Sequence, residues 1–196
     1  HRLLLENIDF QNETVQVEGQ TYPMVGSCFQ TVDPAHPNAL TPEEEEVVGE
    51  LIYSFQNSEK MKRHMDFLLS KGSNYLIYNK HLLFHACLPL EDNGDFMAFQ
   101  LGGQSYQGRA LLDFFDDKIQ EAGQDKNSYT DLATDLIWYL WCGPKSPLFG
   151  KSKMTTFERY FIEDKATHKE EKNAYFKLRD REEIVDPVSY THLTLP

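Results

Sequence analysis

The run Leu82-Leu83-Phe84-His85-Ala86-Cys87-Leu88-Pro89 sets one imidazole near the end of an apolar stretch, directly before small residues and a proline. A buried strand would fix the ring and the small residues would let a ligand approach, an arrangement that suits metal ligation. A core histidine satisfied by a backbone hydrogen bond is the other reading of the same residues. A second candidate is the run from Lys145 to Arg159, where Lys145, Lys151, Lys153 and Arg159 gather cations around a Gly-containing loop of an acidic chain. These would grip a distal phosphate or a regulatory anion, with Arg159 binding through two parallel bonds. Alternatively they are solvated, or pair with Glu158, Glu163 and Asp164. Three other histidines carry less chemistry. His64 falls in a helical apolar stripe and reads as core or interface, His36 sits in an exposed Pro loop, and His168 has only acidic residues at ligand spacing.

The elements that must position these residues follow from periodicity. Residues 3–32 read as extended, with Thr14-Val15-Gln16-Val17 and Gln20-Thr21-Tyr22 flanking a Glu18-Gly19 hairpin turn. After a Pro-punctuated loop over 33–38, Thr41 caps a helix with Pro42 at its first position, and Glu43 to Glu46 complement the helix dipole rather than form a metal site. Its stripe is Val47, Val48, Leu51, Ile52 and Phe55; a second helix from Ser58 carries Met61, His64, Met65 and Leu68 and stops at Gly72. Two extended runs follow, Tyr75 to Tyr78 and Leu82 to Leu88, joined at Asn79-Lys80. The second is apolar on both faces, as expected of a buried central strand.

A short strand Phe96 to Leu101 precedes Gly102-Gly103. Two helices are then expected, one striped by Leu111, Leu112, Phe115 and Ile119, the other by Leu132, Ala133, Leu136, Ile137 and Leu140 and ending at Gly143-Pro144. Trp138 and Trp141 read as buried packing with indole N–H groups bonded to backbone. Thr155 and Glu158 have the spacing of a capping box for a helix through Phe161, and residues 163–184 form a charge-dense, solvated segment. Strands and helices are intermixed, so the fold class is α/β (α+β).

The 196 residues suffice for a sizeable core, and 40% hydrophobic with 26% charged residues argues against disorder. A net charge of -12 argues against nucleic acid or an anionic membrane as partner, yet does not exclude a phosphorylated metabolite. Cys28, Cys87 and Cys142 are odd in number and widely spaced, so thiols in a reducing compartment are expected. No signal or membrane-spanning segment is visible, which makes the cytoplasm the default location. The chain opens without Met inside an apolar run, and Thr/Leu-rich residues 186–196 interrupt a charged segment like translated adapter sequence. Residues 1–185 are therefore expected to be an internal fragment and 186–196 a non-native tail.

Three stretches resemble one family: Lys71-Gly72-Ser73-Asn74-Tyr75-Leu76-Ile77-Tyr78-Asn79 leading into Leu82 to Pro89; Asp135-Leu136-Ile137-Trp138-Tyr139-Leu140-Trp141-Cys142-Gly143-Pro144 leading into Ser146-Pro147-Leu148-Phe149-Gly150-Lys151; and Met154-Thr155-Thr156-Phe157-Glu158-Arg159-Tyr160-Phe161. They are similar to the bacterial class III fructose-1,6-bisphosphatases, related in turn to calcineurin-like metallophosphoesterases. The resemblance implies part of a sandwich of mixed sheets between helix layers, with His85 as a metal ligand. The family's other ligand motifs, of the types DxH, GDxxDRG, GNHD and GHTP, do not occur here, and the general acid is expected upstream.

For the complete enzyme the resemblance implies hydrolysis of the 1-phosphate of fructose 1,6-bisphosphate to fructose 6-phosphate in gluconeogenesis. Two divalent ions, with Mn²⁺ expected, would clamp phosphoryl oxygens and activate a water for in-line attack. Anionic small-molecule effectors and a homo-oligomer belong to the same expectation, and the fragment alone is expected to be inactive. Two alternatives stay open. One is another metallophosphoesterase acting on phosphoproteins or dinucleoside polyphosphates; the other is a non-catalytic binding or oligomerisation module.

Overall fold

A computed structural model of the chain describes residues 5–26, 29–79, 81–124 and 131–182. The expectations for Cys28, Lys80, residues 183–184 and the segment 186–196 fall outside them. The chain divides into two compact units, His1–Met65 with Thr155–Lys169, and Asp66–Met154 with Glu170–Pro196. Mixed α+β character is as expected.

In the first unit, β1 (Ile8–Asp9), β2 (Thr14–Val17) and β3 (Gln20–Pro23) form an antiparallel sheet in the order β1-β2-β3. The Glu18-Gly19 turn joins Val17 to its partner Gln20, and both turn residues have positive φ, 53° and 82°. That backbone hand matches strand twist, and Gly19 adopts it without the cost a Cβ would bring. Alternation along β2 sends Val15 and Val17 inward, against Met24, Ile162, Phe157 and Phe161.

Helix α1 (Pro42–Gln56) begins as expected: the Thr41 hydroxyl accepts from the Glu44 N–H at 3.3 Å, and the Glu44 carboxylate accepts from the Thr41 N–H at 2.9 Å. Helix α2 (Glu59–Lys71) ends at Gly72, whose N–H donates to the Leu68 carbonyl at 2.7 Å. The unit boundary falls within α2. Neither helix has a buried residue. Their apolar stripes exist, but face outward, and the core reading of His64 is corrected because its side chain is exposed.

The second unit holds two hairpins. Strands β4 (Tyr75–Tyr78) and β5 (His81–Phe84) pair antiparallel, with Tyr78 opposite His81. The reading of Leu82 to Leu88 as a buried central strand is overturned. β5 ends at Phe84, alternates exposed and half-buried residues, and has one strand neighbour among the described residues. The hairpin is packed on one face only, and Leu76 and Leu83 lie on the open face. Strands β6 (Phe99–Leu101) and β7 (Gln104–Tyr106) form the second hairpin around Gly102-Gly103, both at positive φ.

Helices α3 (Gly108–Gln124) and α4 (Leu132–Cys142) close the main core, where Phe99, Leu111, Phe114, Phe115, Leu136 and Leu140 interlock. Each large apolar side chain sealed there contributes about 1.5–3 kcal/mol relative to exposure. Trp138 and Trp141 are corrected: they are 59% and 69% exposed, because α4 buries the opposite face through Ala133, Leu136 and Leu140.

Helix α5 (Thr156–Phe161) forms without the expected capping box. The Thr155 hydroxyl donates instead to the His168 carbonyl at 3.1 Å. The segment after Phe161 is less solvated than its charge suggests: Thr167, Asn173 and Ala174 are buried, and α6 (Tyr175–Leu178) packs Leu178 against Leu90.

Candidate functional site

His85 follows the last residue of β5 and is exposed, whereas Cys87, Leu88, Pro89 and Leu90 just beyond it are all buried. Three attachments hold this turn. At its start, the Phe84 ring meets the Tyr175 ring edge-on at 5.7 Å. In the middle, the Cys87 N–H donates to the Pro147 carbonyl at 3.2 Å. At its end, the Leu90 N–H donates to Asn173 Oδ1 at 3.0 Å, an oxygen that also accepts the Tyr175 N–H at 2.9 Å.

The loop receiving Cys87 is itself fixed by a fully buried serine. Ser146 Oγ donates to the Leu140 carbonyl at 2.6 Å and accepts the Leu148 N–H at 3.1 Å. Gly150 then takes φ +65°, and a Cβ there would lie 3.0 Å from the Phe176 ring and 3.4 Å from Cys87 Sγ. Only glycine suits both the backbone and the space. The Gly150 carbonyl accepts the Asn173 N–H at 3.0 Å, which closes the connection. Burial pushes the Cys87 thiol up to about 12, so this sulfur is a packing group rather than a nucleophile.

The hairpin leading to His85 is anchored on α3. Asp116 accepts from the Ser73 hydroxyl, and from the Asn74 N–H at 2.7 Å. Tyr75 donates its hydroxyl to Asp113 Oδ1 at 2.7 Å, and Arg109 pairs with the same carboxylate at 3.4 Å. Burial, and then the bond to Asp113, raises the Tyr75 pKa, which keeps its proton on the donating oxygen. Asp113, Asp116, Ser146 and Asn173 were not singled out from sequence. Ser146 and Gly150 lie within a family-like stretch, which was their one signal.

The four candidate cations are divided between the two units. In the second unit, Lys145 Nζ donates to the Ala98 carbonyl at 2.6 Å, and Lys151 pairs with Glu170 at 2.7 Å. Lys153 is half-buried in that unit. Arg159 belongs to the first unit, where it donates to Thr155 Oγ1 at 3.1 Å and the His168 carbonyl at 3.0 Å. His168 Nε2 lies 2.9 Å from the Glu158 carbonyl and 2.8 Å from that of Ile162. Carbonyls only accept, so this nitrogen carries the proton and closes the end of α5. His36 is exposed, as expected. Among the described residues, no group of three or more His, Cys, Asp or Glu side chains is placed to hold a metal ion. None of the described helices is long and apolar enough to cross a membrane.

Comparison with known proteins bears on all of these stretches at once. A family model described as Firmicute fructose-1,6-bisphosphatase matches residues 1–191. A class 3 fructose-1,6-bisphosphatase of Streptococcus sanguinis is 53% identical over 182 residues, 93% of this chain and 29% of the relative. Those of Staphylococcus haemolyticus and Staphylococcus aureus are 51% and 52% identical, over 94% and 91% of this chain and 28% and 27% of their own lengths. The chain thus spans 27–29% of the length of these curated relatives. No solved structure gives a significant match. With the family model matching through residue 191, the chain belongs to the Firmicute fructose-1,6-bisphosphatase family.

Proposed function

We propose that the whole protein, of which this chain is a part, is a cytoplasmic phosphatase that converts fructose 1,6-bisphosphate to fructose 6-phosphate by removing the 1-phosphate. The observation that carries this reading is the family match over residues 1–191. The printed names of relatives 51–53% identical to the chain support it.

His85 is proposed as one ligand of a divalent metal centre, with Mn²⁺ as the metal. An exposed imidazole on a turn held at Phe84, Cys87 and Leu90 supports that role. The described residues do not fit a complete centre, because no set of three donor side chains converges among them. No chemical step is therefore assigned through the metal to this chain. Its part is to hold and present one ring, with the remaining ligands supplied by residues beyond it.

Lys151 and Arg159 are proposed contacts for the distal phosphate or an effector anion, with Lys145 and Lys153 beside them in sequence. Lys151 would exchange Glu170 for the anion, and Arg159 would share its guanidinium with the His168 carbonyl. A homo-oligomer is part of the same proposal.

The test uses the full-length protein with Mn²⁺ against fructose 1,6-bisphosphate, a phosphopeptide and a dinucleoside polyphosphate. Preferential turnover of the sugar bisphosphate is expected, together with loss of Mn²⁺ affinity in His85→Ala. Faster turnover of either rival substrate overturns the substrate assignment. Unchanged Mn²⁺ affinity in His85→Ala overturns the ligand role. The purified 196-residue chain alone is expected to show no Mn²⁺-dependent turnover, and robust activity would refute a site shared with residues outside it.

A further inference from the structure

Helix α1 and the first part of α2, through Met65, carry apolar stripes that no described residue of their unit buries, and the edges of the two stripes are oppositely charged. On α1, Val47, Val48, Leu51, Ile52 and Phe55 are 38–59% exposed; on α2, Met61 and Met65 are 39% and 49% exposed. At 3.6 residues per turn, Glu43 and Glu50 fall along one edge of the α1 stripe and Glu45 along the other. The acidic residues of α1 have no basic residue beside them on that helix. Lys60 and Lys62 flank the Met61–Met65 stripe on its two sides. One helix is thus apolar with an acidic border, and the next is apolar with a basic border.

These faces are complementary, yet both remain open, so they do not cover each other within one chain. We propose that a second copy of this chain covers them: α1 of one copy lies against α2 of the other, and a two-fold axis repeats the pair. An isologous interface of this kind satisfies both charge borders twice with a single arrangement. Lys60 and Lys62 would then meet the α1 glutamates locally across the interface. The apolar stripes provide the affinity, and the borders choose α1 against α2 over α1 against itself.

The experiment is sedimentation equilibrium of the full-length protein over a dilution series, with thermal midpoints recorded for every variant. Leu51→Glu is expected to halve the mass without lowering the midpoint of the separated chain. Lys60→Glu with Lys62→Glu, or Glu43→Lys with Glu45→Lys and Glu50→Lys, is expected to raise the dissociation constant by about tenfold. All five together reverse both borders and are expected to restore wild-type association, an outcome that simple loss of folding cannot produce. Three results overturn the proposal: a wild-type mass that is monomeric throughout, failure of the five-substitution variant to recover, or Leu51→Glu lowering the midpoint at unchanged mass. The last would assign the face to other parts of the same polypeptide.

Discussion

Replacing Asn173 with Ala removes one oxygen that two backbone donors share. Leu90 is buried, so its N–H would be left without an acceptor or water, a penalty of about 1–3 kcal/mol. The Tyr175 N–H at the start of α6 is reached by solvent more easily, and losing its acceptor costs about 0.5–1 kcal/mol, as for a helix cap. A combined loss of about 2 kcal/mol corresponds to a roughly thirtyfold fall in local protection. Hydrogen exchange at the Leu90 and Tyr175 amides of the full-length protein reads this directly. Asn173→Asp keeps an acceptor at the same place and should retain most of the protection. If Asn173→Ala leaves the Leu90 amide as protected as before, or Asn173→Asp exposes it equally, the attachment assigned to Asn173 is wrong. The same variant should loosen the turn that follows His85 while leaving the α3–α4 core intact.

Three further outcomes are expected. Cys87 holds its proton more tightly in the folded chain, at about 12 against 9.0, so the stability it confers is full below pH 9 and is lost as pH rises towards 12. Urea midpoints above pH 9 should therefore fall more steeply for wild type than for Cys87→Ala, and equal slopes would count against a buried thiol. Gly150→Ala forces a side chain into positive φ beside the Phe176 ring and should cost about 1–3 kcal/mol, measured as a shift of the denaturation midpoint. Lys151→Ala and Arg159→Ala should raise the substrate KM or blunt the response to anionic effectors. Unchanged KM and effector response would reject their proposed phosphate role.

Periodicity made the helices legible, but not what covers them. The α3 stripe of Leu111, Leu112 and Phe115 and the α1 stripe of Val47, Leu51 and Phe55 have the same form in sequence. One is sealed and the other is open, because burial depends on what packs opposite. For the same reason Trp138 and Trp141 could not be placed from their hydrophobicity, since the more deeply packed Leu136 and Leu140 already define the inner face of α4. Strand β7 lacks apolar alternation, although Gly102-Gly103 was a usable hairpin signal. The Thr155–Glu158 spacing was a fair cue that lost to a competing acceptor, the His168 carbonyl. The bond from Leu90 to Asn173 joins residues 83 positions apart, a separation at which local pattern carries no information.

The attachments around His85 also bear on the entropy of whatever it engages. With the backbone fixed at Phe84, Cys87 and Leu90, binding a ligand must immobilise little more than the two side-chain torsions of the imidazole. That ordering costs about 0.5–1.5 kcal/mol, whereas a free loop would add about 1–2 kcal/mol for every backbone residue brought to rest. Over the residues from His85 to Leu90, this difference amounts to several orders of magnitude in binding constant. Mutations that touch no ligand can therefore weaken binding by returning that freedom to the turn.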